Sequence, residues 1–410
     1  MTNAKHWTGW VAIILVIALA GCVSAQDWPQ WRGANRNGTV SDFVGPDAPP
    51  TGLSLVWGTA IGTGDASPAL VGDKLYVNTR EGDEEVTRCL NVADGTPVWE
   101  ERYAAAAAQG PGGSHPGPRS SPAVAEGKVV TLGVAGVLSC LDASTGALVW
   151  RKDPYPNTFP QFNTSTSPII VDGLAIAHLG GAGEGALMAF ELATGDVKWQ
   201  WDGEGPEYAS PTLLEIDGAR HIVTATEKSV VGIDLADGAL AWQLAYVPEG
   251  RSSNSPSPIV DGQTVIFTGS GRGMHAVNIE KQGDAYAPVD VWSNAEISCR
   301  FSTPVLNGGM LFGINDGGNL FCLNAGTGAV EWTGDAQVDR MGFGSLVDLG
   351  DAIVALPSSG ELIAFAPMAG AYAELARFTV AETPTYAHPI VTGDGVFVKD
   401  EETVALWTYE

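Results

Sequence analysis

Leu141-Asp142-Ala143-Ser144-Thr145-Gly146-Ala147-Leu148-Val149-Trp150 is the stretch whose reading decides the fold. Asp hydrogen-bonds the backbone just ahead of it and starts a turn. Gly supplies the positive φ that a tight hairpin needs. The strand that follows carries Trp on the face to be buried. The arrangement recurs as Asn91 to Gly95 before Trp99, Glu191 to Gly195 before Trp199, Asp234 to Gly238 before Trp242 and Asn324 to Gly328 before Trp332. In all five, Gly precedes Trp by four positions. Trp57 and Trp292 close two further units, and Phe378 is read as filling the Trp place in another.

Upstream of each turn the unit opens on a hydroxyl residue followed by Pro. The starts are Ser67-Pro68, Ser121-Pro122, Ser167-Pro168, Ser210-Pro211, Ser257-Pro258 and Thr303-Pro304, with degenerate starts at Gly344-Ser345 and His388-Pro389. Steps of 54, 46, 43, 47 and 46 residues separate the six clear starts. A period of 40 to 50 residues is the mark of a repeat architecture. Apolar alternation within a unit gives about four short strands. The second unit places them at 123–124, 128–132, 137–141 and 147–150. Such a sheet buries both faces only against neighbours, and a closed ring protects its edges. The expected fold is all-β: an eight-bladed β-propeller. Seven units are complete. The eighth has three strands in 388–410, and its missing Trp strand lies at the N-terminus as Leu55-Val56-Trp57. Pairing the two chain ends closes the ring.

The unit resembles the pyrroloquinoline-quinone (PQQ) type of propeller repeat, whose signature is a Leu-Asp-x-x-Thr-Gly turn followed by Trp. It does not resemble WD40 repeats, since the Gly-His and Trp-Asp pairs are missing. The resemblance runs from Leu53 to Glu410 and implies the propeller; it leaves function open, because one fold hosts many activities. Asp27-Trp28-Pro29-Gln30-Trp31-Arg32-Gly33 resembles the opening motif of exported bacterial PQQ-like propellers. Trp28 and Trp31 are expected to pack residues 26–52, an N-terminal arm, onto the propeller at 53–410.

Lys5 and His6 precede an apolar run from Val11 to Ala20, too short to span a bilayer and typical of an export signal over residues 1–25. Two processing sites compete. Leu19-Ala20-Gly21-Cys22 fits a bacterial lipobox, in which Cys22 is lipidated; Val23-Ser24-Ala25 fits ordinary cleavage before Gln26. The expectation is an exported, periplasmic protein, monomeric, touching the membrane only through a lipid anchor. With 21 Lys plus Arg against 47 Asp plus Glu, the net charge of −26 repels phosphate backbones and makes nucleic acid an unsuitable partner.

Cys89, Cys140 and Cys322 share one repeat position that Phe190, Gly232 and Ala276 fill elsewhere. A position open to such different residues is a packing site. Equivalent points on separate blades also lie too far apart for a disulfide. Buried thiols are expected, with Cys299 unassigned. His residues are few and scattered, so no metal site is expected.

The loops leading into the Ser-Pro starts should ring the mouth of the central channel. They contain Arg119, Arg251, Arg300 and Arg340, four of the chain's 13 Arg, together with His115, Gln161, Asn163, Tyr208, Asn254, Phe301, Tyr386 and His388. Arg presents a planar fork to carboxylate or phosphate. One reading is a basic, aromatic-lined funnel for an anionic small ligand or an acidic peptide. The other is that these Arg pair with Asp65, Glu207 or Glu296 and tie blades together. Two functions follow. The chain resembles the BamB-type outer-membrane assembly factors, which implies a non-catalytic envelope scaffold binding envelope proteins, with no cofactor. The alternative is a quinoprotein dehydrogenase oxidising alcohol or sugar with PQQ and calcium. Against it, acidic calcium ligands are few, and neither an adjacent Cys pair nor a Cys-x-x-Cys-His haem motif occurs. Residues 104–118 read as a long, mobile loop between the first two full blades.

Overall fold

The structure, a computed structural model, describes residues 27–46, 50–250, 252–283 and 285–410. Eight four-stranded antiparallel sheets follow one another in chain order. Blade 1 covers 69–104, blade 2 123–152, blade 3 169–201, blade 4 212–245, blade 5 259–294, blade 6 305–337 and blade 7 344–379. Blade 8 is built from both ends: Ile390–Val391, Gly395–Lys399 and Thr403–Tyr409, with Leu53–Ala60 as its outermost strand. That strand pairs antiparallel with Thr403–Tyr409, from Leu53 opposite Tyr409 to Ala60 opposite Thr403. The first strands of neighbouring blades touch each other around the axis. Loops leading into the first strands therefore share one face, here the loop face. The Asx–Gly hairpins share the other, the turn face.

Blade 2 shows how the sequence produces this. Its strands are Ala123–Ala125, Lys128–Leu132, Leu138–Asp142 and Leu148–Lys152. Asp142 Oδ1 accepts from the backbone N–H of Ser144 and Thr145 at 3.1 Å each, and Gly146 sits at φ 72°. The Gly is required twice. A Cβ there would lie 2.4 Å from the Trp99 ring of blade 1. The Trp and the turn of one repeat thus serve different neighbours. Trp99 Nε1 donates to Ala143 O of blade 2 at 3.0 Å, Trp150 to Leu192 O of blade 3 at 2.9 Å and Trp199 to Leu235 O of blade 4 at 2.8 Å. These three blades are bolted to the next through the residue after the one that opens its turn. The core accordingly lies between blades: one cluster joins Val130, Leu138 and Trp150 of blade 2 to Ala175, Met188 and Phe190 of blade 3. Trp242 departs from this pattern and donates to His221 Nδ1 at 3.3 Å, because blade 5 has a long hairpin from Met274–Gln282 into Ala285–Asn294 where other blades have the turn.

One expectation needs correction. Phe378 does not hold the Trp place of blade 7. Ala376 lies opposite Ala364, as Trp332 lies opposite Cys322, and Phe378 falls two residues further on, opposite Leu362. The loop before this strand lacks the Asx–Gly spacing, so counting from it fails; Tyr372 packs on Trp332 and Phe365 instead. The segment 104–118 connects blades 1 and 2, as expected. The fourth strand of blade 1 runs to Ala104, and Gly110–Gly112 forms a 3-10 turn held by Arg119. The arm packs onto the propeller as expected, and it does so by entering the channel. Cys89, Cys140, Cys299 and Cys322 are free and buried. Cys22 and the export signal lie outside the described residues.

Candidate functional site

The hydroxyls that open the repeats form a chain of hydrogen bonds around the axis. The backbone N–H of Ser67 donates to Ser121 Oγ at 3.2 Å, Ser121 to Ser167 at 3.0 Å, Ser167 to Ser210 at 2.9 Å, Ser210 to Ser257 at 2.8 Å and Ser257 to Thr303 Oγ1 at 3.0 Å. His388 N–H extends the chain backwards, donating to Ser67 Oγ at 2.7 Å. A hydroxyl is needed because it accepts where a buried N–H would otherwise stay unpaired. Among the described residues no such bond links blade 7 to either neighbour. The chain breaks at the degenerate Gly344-Ser345 start.

The arm fills the channel from the turn face. Asp27 accepts from Gly72 N–H in the blade 1 hairpin at 2.8 Å, and Trp28 makes paired backbone bonds with Leu70 at 2.8 and 2.9 Å. Pro29 O accepts from Val124 N–H of blade 2. The arm then reverses through Gly33 and leaves along blade 7, where Val40 N–H donates to Asp348 O and Asp348 N–H to Gly38 O. At its apex two buried guanidiniums reach across the axis. Arg32 donates to Thr303 O and Pro304 O of blade 6 at 2.6 and 2.7 Å and to Asn37 O at 2.7 Å. Arg36 donates to Ser167 O and Pro168 O of blade 3 at 3.0 and 2.8 Å. Burial pulls both down to about 9, with Arg32 adding repulsion at Arg36, so both remain cationic near neutrality. Each guanidinium carbon lies over the Trp31 ring, at 5.6 and 5.5 Å, a geometry that stabilises a cation through the ring quadrupole.

Where the hydroxyl chain breaks, a cavity of about 100 Å³ opens on the loop-face side of the apex. Trp31, Arg32, Phe301, Phe343, Tyr386 and His388 provide its chemistry. Phe301 and Phe343 stack at 3.9 Å with parallel rings, Tyr386 stands edge-on to Phe343 at 5.2 Å, and His115 edge-on to Tyr386 at 5.0 Å. Arg300 caps Phe301 at 4.9 Å. His388 is buried beside Trp28, at a tilt, and edge-on to Trp31, and burial followed by the Arg32 charge holds it neutral, well below the usual imidazole range.

The residues expected at a funnel divide into three groups. His115, Phe301, Tyr386 and His388 converge at this seam. His115 Nδ1 lies 2.9 Å from Asp65, whose hydrogen bond raises its pKa. Arg119, Tyr208 and Asn254 brace loops, and Asn163 is buried with its Oδ1 unpartnered. Arg119 donates to Gly112 O and His115 O at 2.9 and 3.0 Å and also to Phe162 O. Tyr208 Oη accepts from Phe162 N–H at 3.1 Å; Asn163 is buried at φ 67°; Asn254 Nδ2 donates to Thr226 O and Tyr246 O at 2.7 and 3.0 Å. Arg300 and Arg340 form the third group, with no ion pair or hydrogen bond to another described residue, Arg340 being exposed. Gln161 is exposed nearby, and Arg251 lies outside the described residues. The Arg–acid pairing expected with Asp65, Glu207 and Glu296 does not occur among the described residues: Asp65 holds His115, Glu207 accepts from Asn254 N–H, and Glu296 N–H donates to Asn294. Buried loop carbonyls compete successfully for Arg119.

Sequence reasoning missed Phe343, Arg32 and Arg36. Phe343 sits in the unit that lacks a Ser-Pro start. Arg32 lies 271 positions from Thr303 and Arg36 131 from Ser167, and local patterning carries no trace of those contacts.

Comparison with known proteins places these features. A family model described as outer membrane protein assembly factor BamB matches residues 82–334. BamB of Bordetella pertussis is 22% identical over 401 residues, covering 84% of this chain and 97% of that protein. Against BamB of Moranella endobia the match spans 55% of each chain, so little more than half of that relative is covered. The crystal structure of BamB from Moraxella catarrhalis superposes with a TM-score of 0.64 at 15% identity, over 87% of this chain and 98% of that one. The quinohemoprotein alcohol dehydrogenase of Comamonas testosteroni superposes at 0.69 and 13% identity, over 93% and 80%. At such identities the structural likeness establishes the fold alone.

Proposed function

The chain belongs to the PQQ-repeat family whose model is described as outer membrane protein assembly factor BamB, and from that premise we propose that it is a non-catalytic, exported binding propeller of the cell envelope, docking a partner protein on its loop face. One observation carries the reading. The arm fills the axis, so the loop face presents a closed floor instead of an open channel. Around that floor stand the Phe301–Phe343–Tyr386 aromatics, the unpaired Arg300 and Arg340, and the exposed apolar side chains of Phe162 and Met341. Exposed aromatic and Arg side chains on a rigid frame suit protein recognition. Two cations unspent on internal pairs, in a chain of net charge −26, favour a partner segment carrying acidic residues. Export through the N-terminal signal, with or without lipidation of Cys22, belongs to the same reading.

The test is photo-crosslinking in intact cells, with a photoreactive residue at Arg340 or Phe162 on the loop face and at Asp237 on the turn face. The reading expects adducts of defined mass with envelope proteins from the loop-face positions and none from Asp237. Adducts from Asp237 alone would overturn it.

The second reading, oxidation by PQQ with calcium, rests on the solved dehydrogenase neighbours. The residues at the axis do not fit that pair. Arg32 and Arg36 stand there with the same sign as a metal ion. The cavity of about 100 Å³ is well below the ~300 Å³ at which ligand pockets begin. Among the described residues no three His, Cys, Asp or Glu side chains converge as a cation site.

A further inference from the structure

The seam cavity carries chemistry that docking of a partner on the loop face does not use. Arg32 and His388, 1% and 4% exposed, both line it, and each keeps one buried nitrogen without a partner: Arg32 Nε and His388 Nδ1. A buried polar atom left unpaired costs about 1–3 kcal/mol, and both belong to residues that line this cavity, which makes Arg32 and His388 its polar side. Charge says which kind. Arg32 spends three of its other four N–H donors on neutral carbonyls, and among the described residues no carboxylate compensates it; burial alone accounts for its lowered pKa. Arg36, close enough to be repelled by it, is likewise held by carbonyls and by the amide oxygen of Gln30. Two buried guanidiniums without an acid are unusual, since buried cations are ordinarily paired. The walls are apolar: Trp31 below, the Phe301–Phe343 stack and Tyr386 around. The volume admits only a handful of non-hydrogen atoms.

We propose that this cavity binds a carboxylate on a short apolar stem, its oxygens received at Arg32 and His388 and its stem held between Phe343 and Trp31. A free monocarboxylate offers that chemistry, and so does the carboxylate of a peptide. The site rests on the cavity and the arm and does not depend on which face a partner docks.

The experiment uses mature protein labelled with 5-fluorotryptophan and follows the Trp31 ¹⁹F resonance, assigned by its loss in Trp31→Phe. The probes are sodium propionate, propionamide as the neutral isostere, and sodium chloride. Two N-acetylated tripeptides distinguish the source: one with a free C-terminal carboxylate, one amidated with a central Glu. Propionate should shift the Trp31 signal saturably while propionamide and chloride leave it in place. The peptide that competes with propionate names the source; if neither competes, the ligand is a free acid. Arg32→Gln should abolish the response. Because that change also releases the blade 6 carbonyls, His388→Phe is the second variant; it keeps the ring and should weaken binding about tenfold with Tm held near the parent value. A wild-type response equal for propionate and propionamide, or no response to either, overturns the proposal. Neither result bears on the crosslinking from Arg340, so the two readings fail separately.

Discussion

Two stretches of the ring around the axis do the same task by different means. From His388 through Ser67 to Thr303, six backbone N–H groups each find a hydroxyl on the next blade, and neighbouring first strands are fixed in register by hydrogen bonds alone. Between blades 6, 7 and 8 that device is missing. Three aromatic rings and the Arg32 clamp take its place, and a cavity remains. The regular arc uses small, directional groups, and each hydroxyl from Ser67 to Thr303 accepts from the preceding blade. The seam uses large side chains whose packing is less complete, and so keeps unpaired polar atoms and room for a guest. Places where a chain breaks its own repeat rule are where function is to be sought.

The largest effect should come from cutting the seam's clamp. Arg32→Ala leaves three carbonyls without a donor, at about 1–3 kcal/mol each where fully buried, so a loss of roughly 3–5 kcal/mol is expected in urea unfolding. A loss below about 1 kcal/mol would mean that the arm is not part of the closed ring. The arc and the seam are contrasted directly by two matched substitutions. Ser210→Ala strands the N–H of Ser167 and should lower stability by about 1–3 kcal/mol. Ser345→Ala, at the break, should stay within about 0.5 kcal/mol. Equal effects would erase the distinction.

Acid should act next. His178, His221 and His388 are held neutral by burial, His178 down to about 4. A folded pKa below the unfolded one contributes stability that is complete above about 6.5 and is lost as pH falls from there toward the folded value. Unfolding free energy should therefore drop between about pH 6.5 and 4, and His388→Phe should flatten part of that slope. The smallest effect has the opposite sign. His115 is raised by its hydrogen bond to Asp65. Its contribution is complete below about 6.5 and fades as pH rises through the higher folded pKa. Half-exposed, it should amount to less than about 1 kcal/mol, read as the pH-dependent difference between wild type and His115→Gln.

The fold was largely legible because a propeller writes itself in local signals. Asp142 and Gly146 make a turn, Trp150 a buried strand, and Ser121-Pro122 a strand start, all within one repeat. Closure could be read from the orphan Trp57 strand. What the pattern could not supply is what each signal is for: the hydroxyl of Ser121 serves blade 1, and Gly146 is small for the sake of Trp99. Blade 7 was misread at Phe378 because its turn abandons the spacing used for counting. The site was half legible. Placing loops at the channel mouth correctly gathered His115, Phe301, Tyr386 and His388. Treating every loop Arg alike was not correct, since Arg119 is consumed by carbonyls. The decisive Arg32 and Arg36 lie in the arm, where the motif suggested a packing role for the Trp residues beside them and none for the Arg.

The measurement that tests the account most directly is calorimetric titration of the mature protein with PQQ in the presence and absence of calcium. An axis filled by Trp31, Arg32 and Arg36 predicts no heat of specific binding under either condition. Tight, calcium-dependent binding would contradict it, because the cofactor could enter only where the arm now lies.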